Sequence, residues 1–162
     1  MSDHVEQLGD PGAQELLASS QPLRLAYAGR DGLPRVVPIG FLWKDAQLFV
    51  CTAPSAPKVA ALIERPNVAV TIDRGETSTT AKQLLIRGTA AIEIVEGVAP
   101  EYIEAAGKSL SGTELEEFEA QVGAVFERQA RISITPEWAR FYDFGAGKLP
   151  PFLRRLAEEA QG

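Results

Sequence analysis

Residues 23–52 read LRLAYAGRDGLPRVVPIGFLWKDAQLFVCT, and their punctuation decides the fold. Leu23–Ala28 is short and apolar-rich. Gly29-Arg30-Asp31-Gly32 carries turn chemistry, with glycines free to take conformations other residues resist. Arg35–Trp43 is nearly continuous apolar sequence, Lys44-Asp45-Ala46 is a polar break, and Gln47–Thr52 resumes the β pattern. The reading is three strands in hairpin succession. The middle strand is apolar on both faces, which predicts that both are covered, as in a barrel or a subunit interface. Pro38 and Gly40 interrupt it, by a bulge at a barrel corner or by room for a flat ligand on the strand.

Outward from this stretch, Ser55–Arg65 reads as a helix capped by Ser55, with Pro57 in its first turn and Pro66 as its stop. Asn67–Asp73 alternates as a strand, and Leu84–Val95 is a longer strand with Gly88 near its middle. Pro100–Leu110 and a second segment from Thr113, where Thr113 and Glu116 match a capping box, read as helices. Arg131–Phe144 holds the last strands with Pro136 as a break, and Pro150-Pro151 precedes a short amphipathic helix. Upstream, Asp10-Pro11 opens a short helix through Leu16 and Leu17. Six strands at short spacing with a few helices are not the alternation of a doubly wound sheet. They predict a mainly β chain, a six-stranded antiparallel split barrel with peripheral helices. The expected organisation is a flexible tail over 1–12, the barrel over 13–148 and a short helix over 149–162.

The chain has 162 residues, 45% of them hydrophobic and 23% charged, which is material for one domain with a real core. No apolar run approaches the ~20 residues that span a bilayer, and the polar start carries no secretory pattern, so the expected location is the cytoplasm. The net charge of −6 disfavours a nucleic-acid partner. One cysteine, Cys51, and one histidine, His4, exclude a disulfide, a cysteine or multi-histidine metal site and a histidine triad. Cys51 lies in an apolar strand and reads as a buried small hydrophobe. The acidic run of Glu114, Glu116, Glu117 and Glu119 reads as a solvated helix face.

Chemistry concentrates in Thr52–Lys58 (TAPSAPK). A lysine in the first helical turn is electrostatically misplaced, because the helix start already carries about half a positive charge. It becomes favourable if an anion binds, with Thr52, Ser55, Lys58 and free backbone N–H groups converging on a phosphate. The alternative is a lysine that simply faces water.

The order of these segments, with the later LIERPNVAVTID and LLIRGTAAIEIV, resembles the pyridoxamine 5'-phosphate oxidase-like, FMN-binding split-barrel family from about residue 15 to residue 144. The resemblance implies a homodimer with the cofactor at the subunit interface: FMN, or in one branch the deazaflavin F420. It implies that Val37, Pro38, Ile39 and Gly40 lie along the flavin ring, Thr52 and Ser55 near the ribityl phosphate, and Lys58 on the phosphate. It also implies that Gln83 and Arg87 fall on the strand facing the site, and that Trp138 and Phe141 on the final strand approach the ring from the partner subunit.

Two departures qualify it. The final strand, RISITPEWARFYDF, lacks the histidine of true pyridoxamine phosphate oxidases, and one lysine replaces the usual basic pair at the phosphate helix, leaving Arg35 or Arg87 to compensate. The implied function is an FMN- or F420-dependent oxidoreductase of a small substrate. The alternative is a non-catalytic flavin- or haem-binding protein for storage or sensing. The acidic balance leans towards FMN, since the deazaflavin has an anionic glutamate tail that calls for a basic groove. No side chain is assigned as catalytic, because the cofactor carries the reacting atom.

Overall fold

A computed structural model of the protein describes residues 3–162. Seven strands form one antiparallel sheet: β1 (Leu23–Ala28), β2 (Pro34–Ile39), β3 (Leu42–Lys44), β4 (Gln47–Thr52), β5 (Asn67–Arg74), β6 (Lys82–Glu96) and β7 (Arg128–Asp143). Their spatial order is β2-β1-β5-β6-β7-β4-β3. The two edges, β2 and β3, are consecutive in the chain, with only Gly40 and Phe41 between them. Two residues cannot span an open seven-stranded sheet, so the sheet rolls until its edges lie together. The barrel is closed by the chain and not by a ladder, which is the split-barrel architecture.

The continuous apolar stretch Arg35–Trp43 is therefore two strands, and the count is seven rather than six. Pro38 lacks a ladder donor and sits on an edge strand, and the chain turns at Gly40. The hairpins are β1–β2 and β3–β4, while β2 and β3 do not pair. Nor is β2 covered within the chain: Val36 is 66% exposed.

Alternation places Leu23, Leu25, Val70, Ile72, Leu84, Ile86, Ile132 and Ile134 inside. Gly88 and Pro136 mark a bulge where β6 crosses β7, and Pro136 does not break the strand. A Cβ on Gly88 would stand 2.3 Å from the Thr135 carbonyl oxygen, so only glycine fits. Helix α2 (Pro11–Ala18) buries Leu16 and Leu17 against the barrel, each worth about 1.5–3 kcal/mol, and the Asp10 side chain accepts from Gly12 N to cap it.

The expected flexible tail is a helix, α1 (Asp3–Gly9), over its described part; Met1 and Ser2 lie outside the described residues. It buries Leu8 in the core and docks on β7, with Gln7 Oε1 accepting from Phe141 N at 2.9 Å and Asp3 pairing with Arg140 at 2.8 Å. Helices α3 (Pro57–Glu64), α4 (Pro100–Ala106), α5 (Gly112–Val125) and α6 (Pro151–Gln161) complete the fold. Among the described residues no helix is long and apolar enough to cross a membrane, and no group of three or more His, Cys, Asp or Glu could hold a metal.

Candidate functional site

Two segments edge both of the principal cavities. One is β2 with Gly40. The other is the run from Cys51 to Pro57 that leads from β4 into α3. The first cavity, of about 430 Å³, is lined by Ile39 and Gly40 from one segment and by Cys51 and Thr52 from the other, with α4 and α5 opposite. The second, of about 600 Å³, is lined by Arg35 from β2 and by Pro54, Ser55, Ala56 and Pro57. Arg35, Val37 and Ile39 alternate onto one face of β2 and span roughly 13 Å.

At the second cavity, α3 starts without a side-chain cap. Its N-cap is Ala56, and Ser55 is exposed one residue earlier. The expected Ser55 cap is thus absent, and its hydroxyl stays available to the cavity. Pro57 carries no N–H, and Ala56 N and Val59 N donate to Ala53 O and Ala56 O at 3.0 Å, so the anion-accepting groups of this corner are the Ser55 hydroxyl and Arg35. Arg35 Nη2 donates to Asp31 at 2.8 Å, which holds the Asp31 carboxyl below its ordinary value and raises the guanidinium. Arg30 and Arg65 are each paired to Glu64, at 3.5 and 3.4 Å. Lys58 does not line this cavity. It is half-buried in the first turn of α3 and, among the described residues, makes no hydrogen bond or ion pair.

The first cavity has a different chemistry. Phe41, Phe49, Tyr102, Phe118 and Phe126 supply flat walls. Tyr102 stacks on Phe118 with centroids 5.7 Å apart and meets Phe126 edge-on at 6.1 Å. Lys108, just past α4, places Nζ 3.8 Å from the Phe41 ring centroid, and that atom is buried without a hydrogen-bond partner. Burial lowers the Lys108 ammonium from 10.5 to about 8. Glu101 Oε1 accepts from Arg131 at 3.0 Å, while its Oε2 is buried and unpartnered. Cys51 is pushed up to about 12, chiefly by burial, so it is not a thiolate nucleophile.

The remaining expected site residues lie elsewhere. The ladder runs Val36–Ala26–Ala69–Arg87–Trp138 across five strands, all on the face of the sheet turned away from the core. The adjacent row runs Pro38–Arg24–Thr71–Leu85–Arg140. Gln83, two residues before Leu85, shares this face. The guanidiniums of Arg87 and Arg140 lie 4.0 and 5.0 Å from the Trp138 ring centroid. Phe141 is buried in the core, facing away from this surface. One chain therefore sets Ile39, Gly40, Thr52 and Ser55 on the walls of a pair of cavities, packs Val37 of the same strand against the core, and sets Pro38, Gln83, Arg87 and Trp138 on its outer face. The two basic residues that a sequence reading passes over or ranks second are Lys108 and Arg35. Arg35 had a signal in its position at the start of β2. Lys108, a cation at a helix C-terminus, looks like an ordinary solvated end charge.

The fold recurs among solved structures. A conserved hypothetical protein from Mycobacterium tuberculosis superposes with a TM-score of 0.66 at 20% identity, covering 93% of this chain and 89% of that one. An F420 reductase gives 0.59 at 18% identity, covering 78% and 94%. HutZ, the haem storage protein from Vibrio cholerae, gives 0.58 at 19% identity, covering 83% and 93%. No curated protein sequence matches the chain. The pattern of the pyridoxamine 5'-phosphate oxidase family matches residues 10–143, from the cap of α2 to the end of β7, and the chain belongs to that family.

Proposed function

We propose that the protein is a homodimeric oxidoreductase that holds a phosphorylated flavin-type cofactor, FMN ahead of F420, and reduces or oxidises a small planar substrate. The observation that carries this reading is the pair of cavities strung along the same two segments, edged by Arg30, Arg35 and Ser55 at the α3 end and walled by aromatic rings at the Ile39–Gly40 end. An arginine-edged end suits an anionic tail, and the strand from Val37 to Gly40 suits a flat ring that lies along β2 beside the aromatic cavity and leaves that cavity free for a substrate. Arg35 and the Ser55 hydroxyl hold the phosphate, with Lys58 adding charge from the first turn of α3. Val37, Ile39 and Gly40 orient the ring, and Thr52 lies beside it. When bound, the cofactor supplies the hydride chemistry. The protein's part is to place the substrate and to exclude water.

FMN is favoured because Asp31 and Glu64 partly neutralise the cations around the α3 entrance, which leaves little for a polyglutamate tail. The outer sheet face, with Val36, Pro38, Leu85 and Trp138, is the surface for the second copy, and it would carry Gln83, Arg87 and Trp138 to the partner's site. Haem storage is the weaker reading, since the single histidine, His4, lines a separate cavity beside Trp43 and Pro136. The test is mass analysis of any small molecule released on denaturation, followed by titration of emptied protein with FMN and with F420. Binding of neither overturns the proposal.

A further inference from the structure

We propose that the 430 Å³ cavity between β3–β4 and helices α4–α5 is a binding site for a one- or two-ring aromatic carboxylate carrying a ring hydroxyl. Its carboxylate meets Lys108 Nζ, and its hydroxyl donates to Glu101 Oε2. This deepens the reading above by naming a substrate class, and it rests on that reading only for the word substrate.

Size comes first. A volume of about 430 Å³ is at the small end of ligand pockets and holds one or two rings. Wall chemistry comes second. Phe41, Phe49 and the Tyr102–Phe118–Phe126 cluster offer ring faces and edges suited to a flat apolar guest. The decisive feature is polar. Buried polar groups are almost always hydrogen-bonded, yet here a donor and an acceptor lining one cavity both lack partners. Lys108 and Glu101 do not satisfy each other. Lys108 has only the Phe41 ring face, and Glu101 spends its other oxygen on Arg131. A desolvated ammonium among aromatic rings calls for an anion, and a desolvated carboxylate oxygen calls for an O–H or N–H donor. One guest with a carboxylate at one end and a hydroxyl at the other satisfies both. Ile39 and Gly40, shared with the proposed ring strand, place that guest beside the cofactor.

The test uses the full chain with no cofactor added, titrated calorimetrically with 4-hydroxybenzoate and with 6-hydroxy-2-naphthoate, two lengths of the same chemistry. At least one should bind saturably with one site per chain, and its carboxamide analogue should bind roughly tenfold or more weakly. Lys108→Met should erase the preference of carboxylate over carboxamide. Ala105→Leu fills the cavity without touching the charge, and should weaken acid and amide alike. Absence of binding by both acids, or a preference that survives in Lys108→Met protein, overturns the proposal. FMN titration of the same preparations separates the two readings. Acid binding without FMN binding defeats the cofactor assignment alone, and FMN binding without acid binding defeats this one alone.

Discussion

Lys108→Met should stabilise the protein at neutral pH, although it removes a charge and a ring contact. The native lysine ionises at about 8 against an ordinary 10.5. That gap corresponds to a penalty of about 3 kcal/mol for keeping the ammonium charged in the fold. The contact with Phe41, at 3.8 Å, returns about 1–2 kcal/mol. Methionine keeps most of the aliphatic stem and its packing. The net expectation is a gain of about 1–2 kcal/mol at pH 7, read by urea unfolding. The sign follows from proton counts. Between pH 8 and 10.5 the unfolded chain holds the Lys108 proton more often than the folded one, so this residue makes wild-type stability rise with pH across that window. Below pH 8 the penalty is complete, and above 10.5 it is gone, so the advantage of Lys108→Met should disappear there. Cys51 acts in the opposite direction from about pH 9, because its unfolded thiol ionises while the buried one, near 12, does not. It is present in both proteins and cancels from the difference. Equal or lower stability of Lys108→Met at pH 7, or a gain unchanged at pH 10.5, would refute the reasoning.

Arg35→Ala should weaken FMN binding roughly tenfold or more, whereas Lys58→Ala should cost only a few-fold, since Lys58 lies off the cavity; fluorescence titration decides, and the reverse ranking would return the phosphate to Lys58. Gly88→Ala should destabilise by roughly 1–3 kcal/mol in urea melts, because the added methyl meets the Thr135 carbonyl. Ala46→Gly should stabilise by up to about 1 kcal/mol, since residue 46 sits at φ 59° in the β3–β4 turn and alanine resists that conformation; an unchanged midpoint counts against the turn geometry. If the proposed dimer forms through the outer face, the wild type should sediment as a dimer at micromolar concentration and Val36→Asp, in the exposed row of that face, as a monomer still folded by circular dichroism; a monomeric wild type counts against the proposed dimer.

Most strands were legible because alternation and turn residues are local signals. Val68, Val70 and Ile72 point one way on β5, and Gly88 marks a crowded crossing before any contact is known. What the sequence hid depends on distant partners. The helix over Asp3–Gly9 is mostly polar, and its order comes from distant partners: Leu8 in the core, Asp3 on Arg140, and Gln7 accepting from Phe141 N, 134 residues on. The break between β2 and β3 was visible in Pro38 and Gly40, but whether it was a kink within one strand or a passage between two edges is set by strand order. Of the candidate site, the β2 and Thr52–Ser55 segments were readable from order and spacing. Lys108 was not, since whether a terminal cation is wet or buried depends on how α4 settles against Phe41.

The two-residue passage from β2 to β3 has a wider consequence. No backbone ladder fixes how far apart those margins stand, so the aperture between them is set by the side chains along its lips. Point changes at positions such as Ile39 or Phe41 could widen or narrow what the protein admits while leaving every strand register intact. A scaffold whose gate is independent of its frame can diversify its ligands without refolding.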